Sequence, residues 1–259
     1  MTSIQINSLE GVGDLAPGDN LASLILDAMA GNRLEPAQGD VLVIAQKAVS
    51  KAENRFVSLD SVVPSAQALA LAVNTGKDPQ LIEVILSESS AVVRACPGVL
   101  IVRHRSGHVM ANAGVDFSNL MPSETGRRVL LLPENADASA NRLRTALLEA
   151  CGIELGIVIS DSFGRPWRNG VTNVAIGAAG VPALLDKRQQ PDLYGRLLEV
   201  TQVAVADLLA SAAGLAMGEG NEGNPFIHIR GLPTGYSGLV GKHTNASALV
   251  RPPEQDLFR

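Results

Sequence analysis

Apolar residues recur along this chain in two periods. Short β-branched runs at Val41–Ala45, Leu130–Leu132, Leu155–Ile159, Val171–Ile176 and Phe226–Arg230 predict buried strands, and Ile4 and Ile6 alternate weakly at the start. Helical spacing places Leu21, Leu24, Ile25 and Met29 on the inner face of a helix, with Asp19 as its N-cap. Residues 64–74 and 79–88 predict two more helices, Pro79 standing near the first turn of the second. A helix over 138–150 would face inward through Leu143, Leu147 and Ala150. A long one from about Asp192 to Gly214 would carry Leu193, Leu197, Val200, Ala204, Leu208 and Ala212, with Asp207 beside that face as a solvated or N–H-bonded acid. Val99–Val102 and His108–Ala111 flank Arg103–Gly107 as a β-hairpin with Ser106-Gly107 in its turn. In a hairpin, the four-residue spacing of His104 and His108 does not converge on a metal, so both read as ordinary strand-end histidines.

Composition narrows the class. The 259 residues, 46% hydrophobic and 18% charged, suit an ordered globular protein of one large domain or two lobes sharing a core. A net charge of −5 gives no footprint for nucleic acid or an anionic membrane. Cys96 and Cys151 are too few for a disulfide framework and fit a reducing cytosol. The start, MTSIQINSLEGVGD, has no charged or apolar signal-peptide region. No apolar run approaches the roughly 20 residues that span a bilayer. The expectation is a cytoplasmic protein.

The most informative stretch is Leu155–Gly180. Its first strand runs into Ser160-Asp161-Ser162, an acid between two hydroxyls, and Gly164 and Pro166 then break the element. Oxygen donors of this kind suit Mg²⁺ or Mn²⁺. Arg165 and Arg168 offer planar forks for phosphate or carboxylate. The single Trp of a chain with 3% aromatics, Trp167, lies between them, which favours a site over a solvated turn. Elsewhere, Lys47 and Lys51 follow a buried strand and could meet phosphates, although spacing alone favours a solvated helical turn in which either lysine pairs with Glu53 or with nothing. Asp116 and Asn119 can present oxygen and amide groups to one small volume, or close an Asx-turn. The segment Met217–Asn224 combines three glycines with Glu219 and Glu222, able to wrap amides round a phosphate while an acid holds a cation. No Gly-x-x-x-x-Gly-Lys-Ser/Thr loop occurs. Gly11-x-Gly13-x-x-Ala16 fits the loosest dinucleotide fingerprint, but Pro17-Gly18 interrupts the helix it needs, which argues against a Rossmann unit.

Taken together, four segments resemble the coenzyme F420-0:L-glutamate ligase family, the γ-glutamyl ligases. They are GDVLVIAQKAVSKAE (39–53), AGVDFSN (113–119), SDSFGRPWRNG (160–170) and MGE (217–219). The likeness runs from about Leu9 to Gly231, and the 160–170 segment is its most specific part. It implies an α+β fold with mixed and antiparallel sheets and flanking helices, neither Rossmann nor P-loop, in a homodimer with intertwined sheets and no fused reductase domain. It further implies addition of L-glutamate to coenzyme F420-0 using GTP, Mg²⁺ or Mn²⁺ at two sites, and K⁺ as a monovalent cation. By motif match, Asp116 and Asp161 would hold one metal, with Ser162 and Glu219 near a second. Many relatives carry Thr where this chain has Ser162, which keeps the hydroxyl. Leu9, Glu10, Gly11, Val12, Gln46, Lys47, Lys51, Asn119, Met217, Gly218, Glu219, Gly220, Asn221, Glu222, Gly223 and Asn224 would line the GTP site.

A carboxylate acylates poorly until phosphorylated, so the expected route is an acyl phosphate with release of GDP, then displacement of phosphate by the glutamate amine. Phosphoryl transfer needs positioning and charge neutralisation. Asp116, Asp161, Lys51, Arg165 and Arg168 are suitable equipment, the two arginines as candidates for the acceptor phosphate or the glutamate carboxylate. Rival readings are a glutamyl ligase for another carboxylate cofactor, a metal-dependent nucleotide hydrolase, and a nucleotide-binding module.

Overall fold

The structure is a computed structural model, and it describes residues 3–118, 126–233, 236 and 244–256. In chain order the elements are β1 (Gln5–Ser8), α1 (Leu21–Gly31), β2 (Val41–Ala45), α2 (Gln46–Ala52), β3 (Phe56–Ser58), α3 (Ala66–Thr75), α4 (Pro79–Ser87), β4 (Ser89–Cys96), β5 (Val99–His104), β6 (Val109–Ala111) and β7 (Arg128–Leu130). Then follow α5 (Ala136–Cys151), β8 (Gly156–Arg165), β9 (Arg168–Ala179), β10 (Leu184–Asp186), β11 (Gln202–Ala204), α6 (Val205–Met217) and β12 (Phe226–Arg230). The architecture is α+β, neither Rossmann-like nor a closed barrel.

The central sheet has the order β1-β12-β2-β8-β9. It is mixed: β2 and β8 run parallel, and every other pair in it is antiparallel. Strands buried on both faces read as unbroken apolar runs rather than alternating ones, and Val41, Leu42, Val43 and Ile44 are all fully buried. Leu42, Ile44, Ile157 and Ile159 point to the side covered by α1 and α5. Val41, Val43, Val158 and Ala175 point to the side covered by α6. Close approach of α5 fixes one residue of β9: a Cβ on Gly177 would lie 2.4 Å from the Ala136 carbonyl oxygen. A third cluster, around Leu59, Ile82, Ile85, Leu100 and Val102, packs α3 and α4 against the smaller sheet β4-β5-β6.

Most predicted strands and helices are present, with instructive departures; the strand expected over Leu130–Leu132 lies earlier, as β7, and shares only Leu130 with it. Asn20, not Asp19, caps α1, its side chain accepting from Ser23 N–H at 3.2 Å, while Asp19 accepts from Ala16 N–H. The predicted helix over 192–214 forms only as α6. Upstream, Asp192 Oδ1 accepts from the N–H groups of Tyr194 and Arg196, a local turn that competes with helix. Gly195 has φ +85, and Leu193 and Val200 are 89% and 84% exposed, so the apolar spacing there reflects no buried face. Nor do Gly164 and Pro166 end the strand early. β8 runs through Gly164 to Arg165, Pro166-Trp167 makes the turn, and β9 returns from Arg168. His104 and His108, expected to stand apart, meet through a shared hydroxyl: Ser106 Oγ lies 2.7 Å from one Nδ1 and 2.8 Å from the other. Asp207 is an N–H-bonded acid as expected, accepting from Ala175 at 2.9 Å. Among the described residues, no helix is long and apolar enough to cross a membrane.

At the end of the sheet where β2 begins, Asp40 is buried and bound to His228 Nε2 at 2.9 Å and to Arg230. Burial pushes its carboxyl up, but hydrogen bonds from Arg230, His228 and the Ala37 N–H more than offset this and hold it at about 2. A carboxylate depressed in the folded state stabilises fully above its unfolded value and loses that stabilisation as pH falls through the folded one. Asp40→Asn should therefore lower stability at pH 7 by about 3 kcal/mol, as expected for breaking a buried pair. Denaturant unfolding across pH should show the gap from wild type closing between pH 4 and 2.

Candidate active site

The register of the central sheet gathers the site at one end. Because β2 and β8 run parallel, with Ala45 paired to Ser160 as their last pair, the residues that follow that pair emerge side by side. These are Gln46 and Lys47 on one strand and Asp161 and Ser162 on the other. β12 runs antiparallel to β2, so the segment before it, 217–224, arrives at the same end. β1 leaves there too: Leu9 N–H donates to the Phe226 carbonyl at 3.0 Å. A cleft of about 640 Å³ opens at this meeting point, bounded by Val12, Lys47, Lys51, Asp161, Ser162 and the 217–224 loop.

Lys47 reaches across to Asp116 at 2.8 Å and donates to Ser118 Oγ at 2.9 Å. Asp116 also accepts from the N–H and hydroxyl of Ser118 at 2.7 and 2.9 Å, so it closes an Asx-turn and an ion pair at once. Burial raises the Asp116 carboxyl, but Lys47 and Ser118 together hold it below the usual carboxylate range. Asp161 is the opposite case. Burial pushes it up to about 7; the Ser162 N–H and Lys47 pull down, while the charges of Asp116 and Glu219 push up further. Ser162 donates to Glu219 Oε2 at 2.7 Å, joining the two residues expected beside a second metal.

The 217–224 loop begins where α6 ends. Gly218 has φ +77, and a Cβ there would lie 2.3 Å from the carboxyl carbon of Glu222, which folds back to accept from Gly220 N–H at 2.8 Å. Glycine is required for that close approach. Lys51 lines the cleft, and its expected partner Glu53 is engaged elsewhere, by Arg142 and Ser139. Gln46 is buried and accepts from Ser50 Oγ at 3.0 Å.

Other expected residues lie differently. Leu9 is fully buried in the core, so any part it plays toward a ligand is through its backbone. The Glu10 carbonyl accepts from Asn32, and Gly11 turns the chain at φ +81 just before Val12 reaches the cleft. Asn119 lies outside the described residues. Arg165 and Arg168 sit at the tip of the β8–β9 hairpin, with Arg165 donating to the Gly170 carbonyl at 3.3 Å, and neither lines the cleft. Trp167, at φ +64 and 86% exposed, is a hairpin turn residue rather than a wall of the cleft. Sequence reasoning missed Asn173 and Asp14, which do line it; an amide amid the apolar run of β9 was the one available signal.

The donors suit a hard cation. Asp116, Asp161, Ser162 and Glu219 offer oxygen only, and Asp161 feels two further carboxylates while the nearest lysine is committed to Asp116. Among the described residues, no three His, Cys, Asp or Glu side chains are already drawn together as a ligand set. The acids instead approach from both sides of β8, and a divalent cation would relieve their repulsion.

Fold and site thus describe an α+β protein with an oxygen-lined cleft bordered by lysines and a glycine-rich loop. Residues 11–231 match the family model described as F420-0:Gamma-glutamyl ligase. The chain is 49% identical over 243 residues to the coenzyme F420:L-glutamate ligase of Methanopyrus kandleri, covering 94% of this chain and 92% of that protein. It is 43% identical over 256 residues to the protein of the same name from Methanothermobacter thermautotrophicus, covering 99% of each. A third so named, from Archaeoglobus fulgidus, is 38% identical over 99% of this chain and 96% of its own length. The chain belongs to the F420-0:γ-glutamyl ligase family.

A carboxyl raised from 3.8 in the unfolded chain to about 7 when folded penalises the native state once pH exceeds 3.8, levelling off above 7. In EDTA at pH 8, Asp161→Asn should therefore be more stable than wild type, by about 1–3 kcal/mol after allowance for solvent screening of this half-buried group. Thermal or denaturant unfolding should show the gain shrinking as pH falls from 7 towards 4.

Proposed function

We propose that this protein joins L-glutamate through an amide bond to the carboxylate end of coenzyme F420-0, with GTP as co-substrate and Mg²⁺ or Mn²⁺ as the divalent cation. The observation that carries this reading is that Asp161, Glu219, Lys47, Lys51 and the 217–224 loop line one cleft, with Asp116 beside it and paired to Lys47. The shared name of the relatives supports the substrates.

In this scheme the acceptor carboxylate attacks the γ-phosphorus of GTP, forming an acyl phosphate and releasing GDP. The glutamate amine then attacks the acyl carbon, loses a proton and expels inorganic phosphate. Asp116 and Asp161 would hold one cation, with Ser162 and Glu219 beside a second, and these cations supply charge neutralisation of the polyphosphate. Lys51 adds a positive charge to the same end of the cleft, and the glycine-rich loop lets the backbone come close to the polyphosphate. Lys47 keeps Asp116 ionised and oriented. Because Arg165 and Arg168 project from the hairpin tip, their part would be to meet the acceptor or the incoming glutamate beyond the cleft. The proposal includes a homodimer, for which Trp167, Leu193 and Tyr194, at 86%, 89% and 88% exposure, provide unpartnered apolar surface.

Incubated with F420-0, GTP, Mn²⁺ and glutamate, the protein should give GDP and a product heavier by one or more glutamyl units in mass spectrometry. Asp161→Asn and Asp116→Asn should lower that turnover by about 10³-fold or more, a loss typical of removing transition-state charge stabilisation, with circular dichroism unchanged. GDP formation by Asp161→Asn near the wild-type rate would exclude the central assignment. Phosphate release without glutamate or acceptor would point to a hydrolase instead.

A further inference from the structure

Two buried polar side chains in the cleft are poorly satisfied. Ser160 is 1% exposed, and its Oγ has no hydrogen-bond partner. Asn173 is 6% exposed, and its amide nitrogen donates to Met217 Sδ at 3.8 Å, a weak acceptor. Both line the cleft. The strand register sets them side by side: Ser160 pairs with Ala175, and Asn173 with Ser162. Ala175 packs in the α6-side cluster, so Ser160, Ser162 and Asn173 share that side, while Asp161 turns to the other, towards Lys47 and Asp116.

Packing, rather than hydrogen bonding, holds the Asn173 side chain. Gly214 of α6 lies so close that a Cβ there would stand 2.8 Å from Asn173 Oδ1, and Ser211 Oγ donates to the Asn173 backbone carbonyl at 2.8 Å. The amide oxygen therefore faces the helix and the nitrogen faces Met217 at the cleft. What the pair offers an anionic ligand is an amide N–H that can only donate and a hydroxyl whose O–H is free to turn towards the oxygen. A base edge asks for donors and acceptors in alternation, whereas an anionic oxygen asks for donors alone.

We infer that Ser160 and Asn173 form a neutral hydrogen-bonding floor for an anionic phosphoryl oxygen of the nucleotide's polyphosphate; the inference rests on the proposed use of GTP. Neutrality is the point of the pair. A cationic side chain beside a carboxylate is captured, as Lys47 is by Asp116. An amide and a hydroxyl neither titrate nor form ion pairs, so they meet an incoming oxygen without first breaking a bond to an acid. An unpaired buried hydroxyl carries its full desolvation penalty, which binding would remove.

The test is Ser160→Ala, with Asn173→Asp as a near-isosteric second variant that replaces the donating amide. Calorimetric titrations with GTP, GDP, inorganic phosphate and guanosine are run in Mg²⁺, beside thermal unfolding without nucleotide. Ser160→Ala should unfold at or above the wild-type temperature yet bind GTP and GDP about tenfold or more weakly, the loss expected for one hydrogen bond to a charged group. Guanosine affinity should stay unchanged in both variants. Wild-type GTP affinity in Ser160→Ala, or equal losses for GTP and guanosine, would overturn the inference. So would weakened binding of inorganic phosphate alone, which would assign the floor to the free ion. Failure of the wild-type protein itself to bind GTP would overturn the co-substrate reading, and this floor with it.

Discussion

The parallel pairing of β2 with β8 is the constraint on which the site depends. Parallel neighbours must release their following segments at the same end of the sheet, and their connection must cross over through intervening structure. Here that geometry brings the polar turn after β2 against the acid and hydroxyl of β8. An antiparallel pairing of the same two strands would leave Lys47 and Asp161 at opposite ends. The pairing also explains why the cleft can be acidic and yet sit beside a dense apolar interior. Val43, Ile44, Val158 and Ile159 bury both sides of the sheet up to the last β2–β8 pair, Ala45 with Ser160, and polarity begins where β2 stops.

Much of this was legible in the sequence, and for identifiable reasons. Buried strands announce themselves as β-branched runs, and β2, β8 and β12 were all found that way. The motifs also named residues that the fold brings together, since Asp116, Asp161, Glu219 and Lys47 sense one another electrostatically across a cleft. What could not be read was direction. Arg165, Trp167 and Arg168 are close to Asp161 in sequence, but β8 continues and carries them outward to a hairpin tip. A one-dimensional reading treats neighbours as co-located; a strand rising about 3.3 Å per residue separates them quickly. The stretch at 192–200 failed differently, because helical spacing of apolar residues is informative only when a face is buried. The pairing of His104 and His108 through Ser106 was likewise invisible, since it depends on turn geometry rather than on spacing.

The electrostatics divide the acids by what surrounds them. Asp40 sits deep at the far end of the sheet but is fully compensated, and it stays ionised to about pH 2. Asp161 is raised by burial and by two carboxylates, with Lys47, already paired to Asp116, pulling the other way, and it resists ionisation until about pH 7. The first arrangement belongs to a structural lock. The second stores an unfavourable interaction that an external positive charge can relieve, the pattern seen where stability is traded for binding.

The position of β12 has a consequence for how the chain assembles. It is the last strand in sequence to join the central sheet, yet it lies between β1 and β2 rather than at a margin. Until residue 230 has left the ribosome, β1 has no neighbour and one side of β2 is an open hydrogen-bonding edge flanked by apolar side chains. Such an edge invites pairing with other chains. Completion of the sheet is therefore a late, long-range event in synthesis, and a chain truncated before β12 would present a sticky edge instead of a finished cleft.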